Sequence, residues 1–223
     1  MKKIIFFCLI LYLQSIAMEL LFAKNKNSYA FDKVFVKSSN IYYSIYSKNS
    51  KHIVPVQITF SGKDSMPILS PDKKIIAFLR ESDFLIPERC SDFMDDDSVY
   101  AKQIWIYEID KKKDRLLVAN DFSCDEPEKK LLDFSHLQFS PDNQTLYFLT
   151  SGRTTSKALH AVSVDVNGEG QRYITSAKDF KVIMKGKYRG FLLVTQHRYF
   201  FDGDDSGSSY DWVGLVTAEG GEG

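Results

Sequence analysis

No charge of one sign dominates this chain: Lys plus Arg and Asp plus Glu both number 29 among 223 residues. A protein that grips nucleic acid or an anionic membrane surface carries an excess of basic residues, so neither function is expected. Past the N-terminus no segment shows convincing helical periodicity, and helix should be scarce. There is no Gly-x-Ser-x-Gly elbow, no His-Glu-x-x-His pair and no glycine-rich phosphate loop, so no catalytic motif and no cofactor is implied. The four histidines, His52, His136, His160 and His197, have no second His or Cys at ligand spacing, which leaves zinc without support. His197, in "TQHRYFF", reads as a structural histidine. Cysteine is sparse too, at three.

What is present is strand upon strand. Aromatic residues make up 14% of the chain, with 17 Phe and 12 Tyr, a composition that favours strands. The exception is the opening, "MKKIIFFCLILYLQSIA": two lysines, an apolar run from Ile4 to Leu13, then a polar break. These are the n-region and h-region of a secretory signal peptide, with cleavage expected after Ala17 or Ala23. The alternative, an uncleaved anchor running on to Ala23, is interrupted by Glu19 and falls short of the roughly 20 clean apolar residues a span needs. Cys8 lacks the small residues that a lipoprotein cleavage site requires before it. Export leaves Cys90 and Cys124 in an oxidising compartment, where an even pair is a disulfide candidate.

Self-similarity organises the rest. "LSPDKKIIAFLRES" at 69–82 returns as "FSPDNQTLYFLTSG" at 139–152. In both, Ser-Pro-Asp (Ser70, Pro71, Asp72; Ser140, Pro141, Asp142) closes one strand and a tight turn opens the next. Pro presets φ for the second turn position, and Asp can bond the amides beyond it. Asn143 then tolerates a left-handed conformation, which Lys73 adopts less readily. Hairpin connections follow at 109–115 and 165–172, while the connections 82–101 and 120–134 are long. Within the second, 125–134 is the nearest approach to a helical turn. With the long connections trimmed, each repeat is a four-stranded meander of roughly 40–45 residues, the size of one propeller blade.

The segments "PILSPDKKIIAFL…QIWIYEIDKKKDRLLV" and "LQFSPDNQTLYFLTS…LHAVSVDVNGEGQRYIT" resemble the blades of TolB-type β-propellers. The turn glycine of that pattern is absent from both. The resemblance implies an all-β domain over 24–223, with blade-like parts at about 33–60, 66–119, 136–176 and 180–219. Their three, four, four and three strands make fourteen, the first part lacking strand a and the last strand d. A closed ring needs at least about four blades, so an open or incomplete stack is the expected form, its uncovered edge shielded by a partner or a second copy.

In a four-stranded meander the b–c and d–a connections emerge at the same end, which brings 82–101 and 120–134 together. Cys90 and Cys124 fall in these two connections, where a disulfide would contribute roughly 3–4 kcal/mol on a chain-entropy estimate. The same connections carry Asp83, Glu88, Asp92, Asp95, Asp96, Asp97, Asp121, Asp125, Glu126 and Glu128. Asp92, Asp95, Asp96, Asp97, Asp121, Asp125 and Glu126 form the candidate partner-binding face. "MDDDS" supplies weak calcium candidates in Asp95, Asp96 and Asp97, without the spacing of a calcium loop. Trp105 and Trp212 occupy c-strand positions and read as packing residues. Asn143-Gln144-Thr145 matches a glycosylation sequon inside a turn.

The function implied is that of an exported, non-catalytic binding module of the cell envelope, periplasmic or secreted, presenting acidic loops to a protein partner. No nucleic acid and no membrane span in the mature chain is expected. A homodimer through the open blade edge is the other association foreseen. Two alternatives remain: an orphaned propeller related to those of prolyl-oligopeptidase-type peptidases, or a calcium-dependent adhesive module.

Overall fold

The computed structural model describes residues 30–46, 53–87, 90, 100–123, 130–153, 156–165, 170–200 and 207–220. Fourteen strands run in sequence order: β1 (Ala30–Lys37), β2 (Asn40–Tyr46), β3 (Ile53–Gln57), β4 (Asp64–Leu69), β5 (Ile75–Leu85), β6 (Tyr100–Glu108) and β7 (Lys113–Val118). They continue as β8 (Ser135–Phe139), β9 (Thr145–Arg153), β10 (Ser156–Ser163), β11 (Arg172–Ala177), β12 (Asp179–Val182), β13 (Leu192–Phe200) and β14 (Ser208–Val216). They form four separate antiparallel sheets, β1–β3, β4–β7, β8–β11 and β12–β14, and within each sheet the spatial order is the sequence order. No α-helix occurs among the described residues.

The apolar runs account for this arrangement. In "IIAFL" successive side chains point to opposite faces, and Ile76, Ala77, Phe78 and Leu79 are all fully buried. A strand buried on both faces must lie between two other layers, so neither helical nor simple alternating periodicity appears. "LYFL" at 146–149 repeats the pattern and the burial.

Three hydrophobic clusters join consecutive sheets. Ile41 and Tyr43 of the first sheet meet Ile76 and Phe78 of the second, with Trp105 packed alongside. Ala77, Leu79, Ile104 and Ile106 meet Leu146, Phe148 and Val162 of the third. Tyr147, Leu149, Leu159 and Ala161 then meet Phe180, Leu192 and Val194 of the fourth. The first strand of each sheet lies inward: β4 neighbours both β1 and β8, and β8 neighbours β12. The architecture is a propeller-like stack of blades. A ring of four sheets would have four interfaces, and among the described residues three clusters join sheets, none of them linking the first to the last.

The Ser-Pro-Asp turns are built as their chemistry dictates. The Lys73 amide donates to Ser70 O at 2.9 Å and the Asn143 amide to Ser140 O at 3.1 Å. Each Asp carboxylate accepts from the Ser hydroxyl two residues back and from the amide two residues on. The hydroxyl of Ser140 takes the Thr145 amide at 2.9 Å, and that of Ser70 the Ile75 amide at 3.0 Å. Both fourth positions are left-handed, with φ 64° at Lys73 and 68° at Asn143. Lys73 therefore takes the conformation its side chain favours less, because the turn closes around it with the same set of bonds.

Candidate binding face

Two connections leave the second sheet at the same end of the stack. The first is shorter than the sequence indicated. β5 runs on to Leu85 and β6 begins at Tyr100, so 82–85 and 100–101 are strand, with Ser82 Oγ donating to Ala101 O at 2.7 Å. The polar letters "ESD" mimic turn chemistry, but Glu81 pairs opposite Lys102 and Leu85 opposite Tyr100, extending the ladder. Asp83 is thus a strand residue, and its carboxylate binds Lys63 Nζ at 2.6 Å. That hydrogen bond and charge push the exposed Lys63 ammonium above its ordinary pKa.

The second connection is pinned by an isolated bridge. The Asp121 and Leu131 amides donate to each other's carbonyls at 3.1 and 2.9 Å. Asn120 Nδ2 donates to Lys102 O at 2.5 Å, tying the connection to β6. Residues 130–134 are irregular, with a bend at Asp133: Leu131 and Phe134 enter the core between the second and third sheets, and Leu132 is buried with its amide on Thr150 Oγ1 at 3.2 Å. The segment considered for a helical turn is an apolar anchor where it is described.

Cys90 is where the two connections meet. It is buried, and its Sγ lies 3.8 Å from the carbonyl oxygen of Phe122, two residues short of Cys124 in sequence. Asp121, the described member of the expected acidic face, folds its carboxylate back onto Ser123, accepting from the amide at 2.9 Å and from the hydroxyl at 2.7 Å. Asp92, Asp95, Asp96, Asp97, Cys124, Asp125 and Glu126 lie outside the described residues, as do Glu88 and Glu128. Among the described residues no three His, Cys, Asp or Glu side chains gather as a metal site would require.

The opposite end carries the turns, and there the last sheet breaks the repeat. Where the second and third sheets have Ser-Pro-Asp, residues 185–190 read Lys-Gly-Lys-Tyr-Arg-Gly, with φ 86° at Gly186 and 92° at Gly190. Arg189 Nη2 donates to Pro141 O at 3.1 Å. In the same way Asn143 Oδ1 accepts the Asp72 amide at 3.0 Å, so consecutive turns are bonded to one another. The Ser140 hydroxyl, the Gln144 amide and the Arg189 charge together hold the Asp142 carboxyl below its ordinary pKa.

Two features of the interior escaped the sequence reading. Arg80 binds the fully buried Asp64 through Nε at 2.6 Å and Asp114 through Nη1 at 2.9 Å, with its guanidinium 4.3 Å from the Trp105 ring centre. The lone charge closing the apolar run "IIAFL" was its signal. His160 is fully buried, its ring stacked on Phe148 and edge-on to Tyr173. Trp212 lies folded over Gly214 with the Arg198 guanidinium 3.9 Å from its ring centre, so it packs on its own sheet. His197 sits on the outward side of that sheet, Nδ1 3.3 Å from Asp211 Oδ1.

No protein-family model matches the chain, and no curated protein matches it in sequence. Solved structures similar to it include TolB from Acinetobacter baumannii, at 13% identity and a TM-score of 0.44, covering 82% of this chain and 39% of that one. The β-propeller domain of the Trilobed protease from Pyrococcus furiosus is matched at 12% identity and a TM-score of 0.43, over 84% of this chain and 55% of that one. A gluconolactonase from Xanthomonas campestris is matched at 17% identity and a TM-score of 0.45, over 83% and 54%. The chain therefore spans between about two fifths and just over half the length of these structures. The propeller-like fold stands on the four meanders and their three interfaces. No helix among the described residues is long and apolar enough to cross a membrane.

Proposed function

We propose that the chain is an exported, non-catalytic binding module of the cell envelope whose working surface is the end of the stack where the two long connections of the second sheet emerge. The observation that carries this reading is the meeting of those connections at Cys90 and Phe122. It supports a reading in which the acid-rich sequence flanking those two residues works at that end of the scaffold, as binding loops usually do. A Cys90–Cys124 disulfide would staple the two together, and the buried Cys90 supports that pairing. A face so acidic fits a basic protein surface, which it would attract by steering and hold in a salt-dependent way. Export rests on the leader-like residues 1–23.

The test is a chemical cross-linking experiment in the exporting cell, followed by binding measurements with the partner recovered. Replacing Asp95, Asp96, Asp97, Asp125 and Glu126 by their amides should weaken binding at least about tenfold, with a flatter salt dependence. Neutralising Lys185 and Lys187 at the opposite end should leave it unchanged. Equal effects from both sets, or none from the acidic set, would refute the assignment of the face.

A further inference from the structure

Among the described residues, the first and fourth sheets are each packed against another sheet on one side only. On the side of each sheet that faces the next, two cross-strand pairs form the contact. In the second sheet these are Ala77 opposite Ile106 and Leu79 opposite Ile104. In the third they are Tyr147 opposite Ala161 and Leu149 opposite Leu159. All are buried. The corresponding pairs in the fourth sheet are Leu193 opposite Leu215 and Thr195 opposite Val213. The apolar pattern is kept, yet Leu193 is 40% and Val213 58% exposed. Charges at this face are balanced: Asp211 is met by Lys178 and His197, and Asp179 and Lys181 lie on the inner strand.

The receiving side repeats in the same manner. The third sheet receives the second with Phe148 and His160, opposite each other and stacked. The first sheet offers Phe35 and Tyr42, also opposite each other, their rings stacked at 5.6 Å and 16° and half-buried. The donor side is thus open on the last sheet and the acceptor side on the first. In the first sheet the aromatic pair spans the first and second strands and in the third sheet the second and third, so the open faces match the interior contacts in chemistry, displaced by one strand.

We propose that the chain pairs with a second copy of itself, the outward face of the fourth sheet docking on the Phe35–Tyr42 face of the partner's first sheet, twice over. The contact is head-to-tail, and such contacts either close into a ring or run on as a fibre. Two chains supply eight sheets, the upper end of the four to eight blades typical of propellers, whereas three chains supply twelve. The dimer is therefore the closed form.

The experiment is the solution mass of the full protein by light scattering on a sizing column, with two variants, Val213→Lys and Phe35→Glu. Wild type should elute at twice the chain mass. Each variant alone should be monomeric, since each spoils both contacts of the ring. An equimolar mixture should regain a two-chain species, because the intact fourth sheet of Phe35→Glu can dock on the intact first sheet of Val213→Lys. A monomeric wild type at micromolar concentration overturns the proposal, and so does an open-ended polymer. A Phe35→Glu variant that stays dimeric overturns the head-to-tail arrangement in favour of fourth sheet on fourth sheet. The wild-type mass decides the first question even if a variant fails to fold.

Discussion

His160 shows what one residue can impose on the whole. Its Nδ1 accepts from Gln171 Nε2 at 3.1 Å, and Nε2 is buried without a partner. Burial pushes its pKa down to about 4. The unfolded chain takes up a proton near pH 6.5 and the folded chain does not, so stability is intact above pH 6.5 and falls as the pH drops toward about 4. The loss is at most roughly 3 kcal/mol. Glu108, Asp142 and Asp211 are held below the ordinary carboxylate range by their hydrogen bonds and neighbouring cations. Their contribution is also lost on acidification, setting in from about pH 5 downward. Denaturant melts across pH 7 to 4.5 should therefore show a falling midpoint in wild type. In His160→Phe, which keeps an aromatic ring between Phe148 and Tyr173, the curve should be flat down to about pH 5. An unchanged slope in that variant would exclude His160 as its source.

Among the elements, the two Ser-Pro-Asp turns are a matched pair with one difference. A left-handed residue with a side chain costs on the order of 1 kcal/mol that glycine avoids. Lys73→Gly should then stabilise the protein by about 0.5–1 kcal/mol, because the Lys73 side chain takes no part in the bonds that close the turn. Asn143→Gly should stabilise less or not at all, since it removes the bond from Asn143 Oδ1 to the Asp72 amide. Chemical denaturation distinguishes the two, and equal gains would rule out a role for that bond. These turns were legible because their determinants are local: Pro, Asp and a hydroxyl within three residues. The count of fourteen strands was legible because apolar runs and turn residues alternate. The extension of β5 through "ESD" was not, since polar residues in an exposed ladder look like a turn. Nor were the Arg80–Asp64 and His160 environments, whose partners come from other strands. Residues 130–134 were misjudged because Asp133 masks an anchor whose apolar residues, Leu131 and Phe134, reach the core.

For the whole molecule, stability should decline from the middle outward. Chains of repeats that touch only their neighbours behave as one-dimensional systems, and each end has one neighbour where the middle has two. Native-state hydrogen exchange should find the slowest amides in β5 and β9, at Ile76–Leu79 and Leu146–Leu149, and the fastest in β1 and β14. Uniform protection from β1 to β14 would show that the four sheets unfold as one cooperative body.

The bonds between consecutive turns have a consequence for how such a chain can change. Asn143 reads the backbone amide of Asp72, and Arg189 reads the backbone carbonyl of Pro141. In each case only the later sheet commits a side chain, and the earlier one offers backbone atoms. At the turns, a duplicated repeat therefore arrives already able to make this bond to its parent, and the parent's turn can drift in sequence without breaking it.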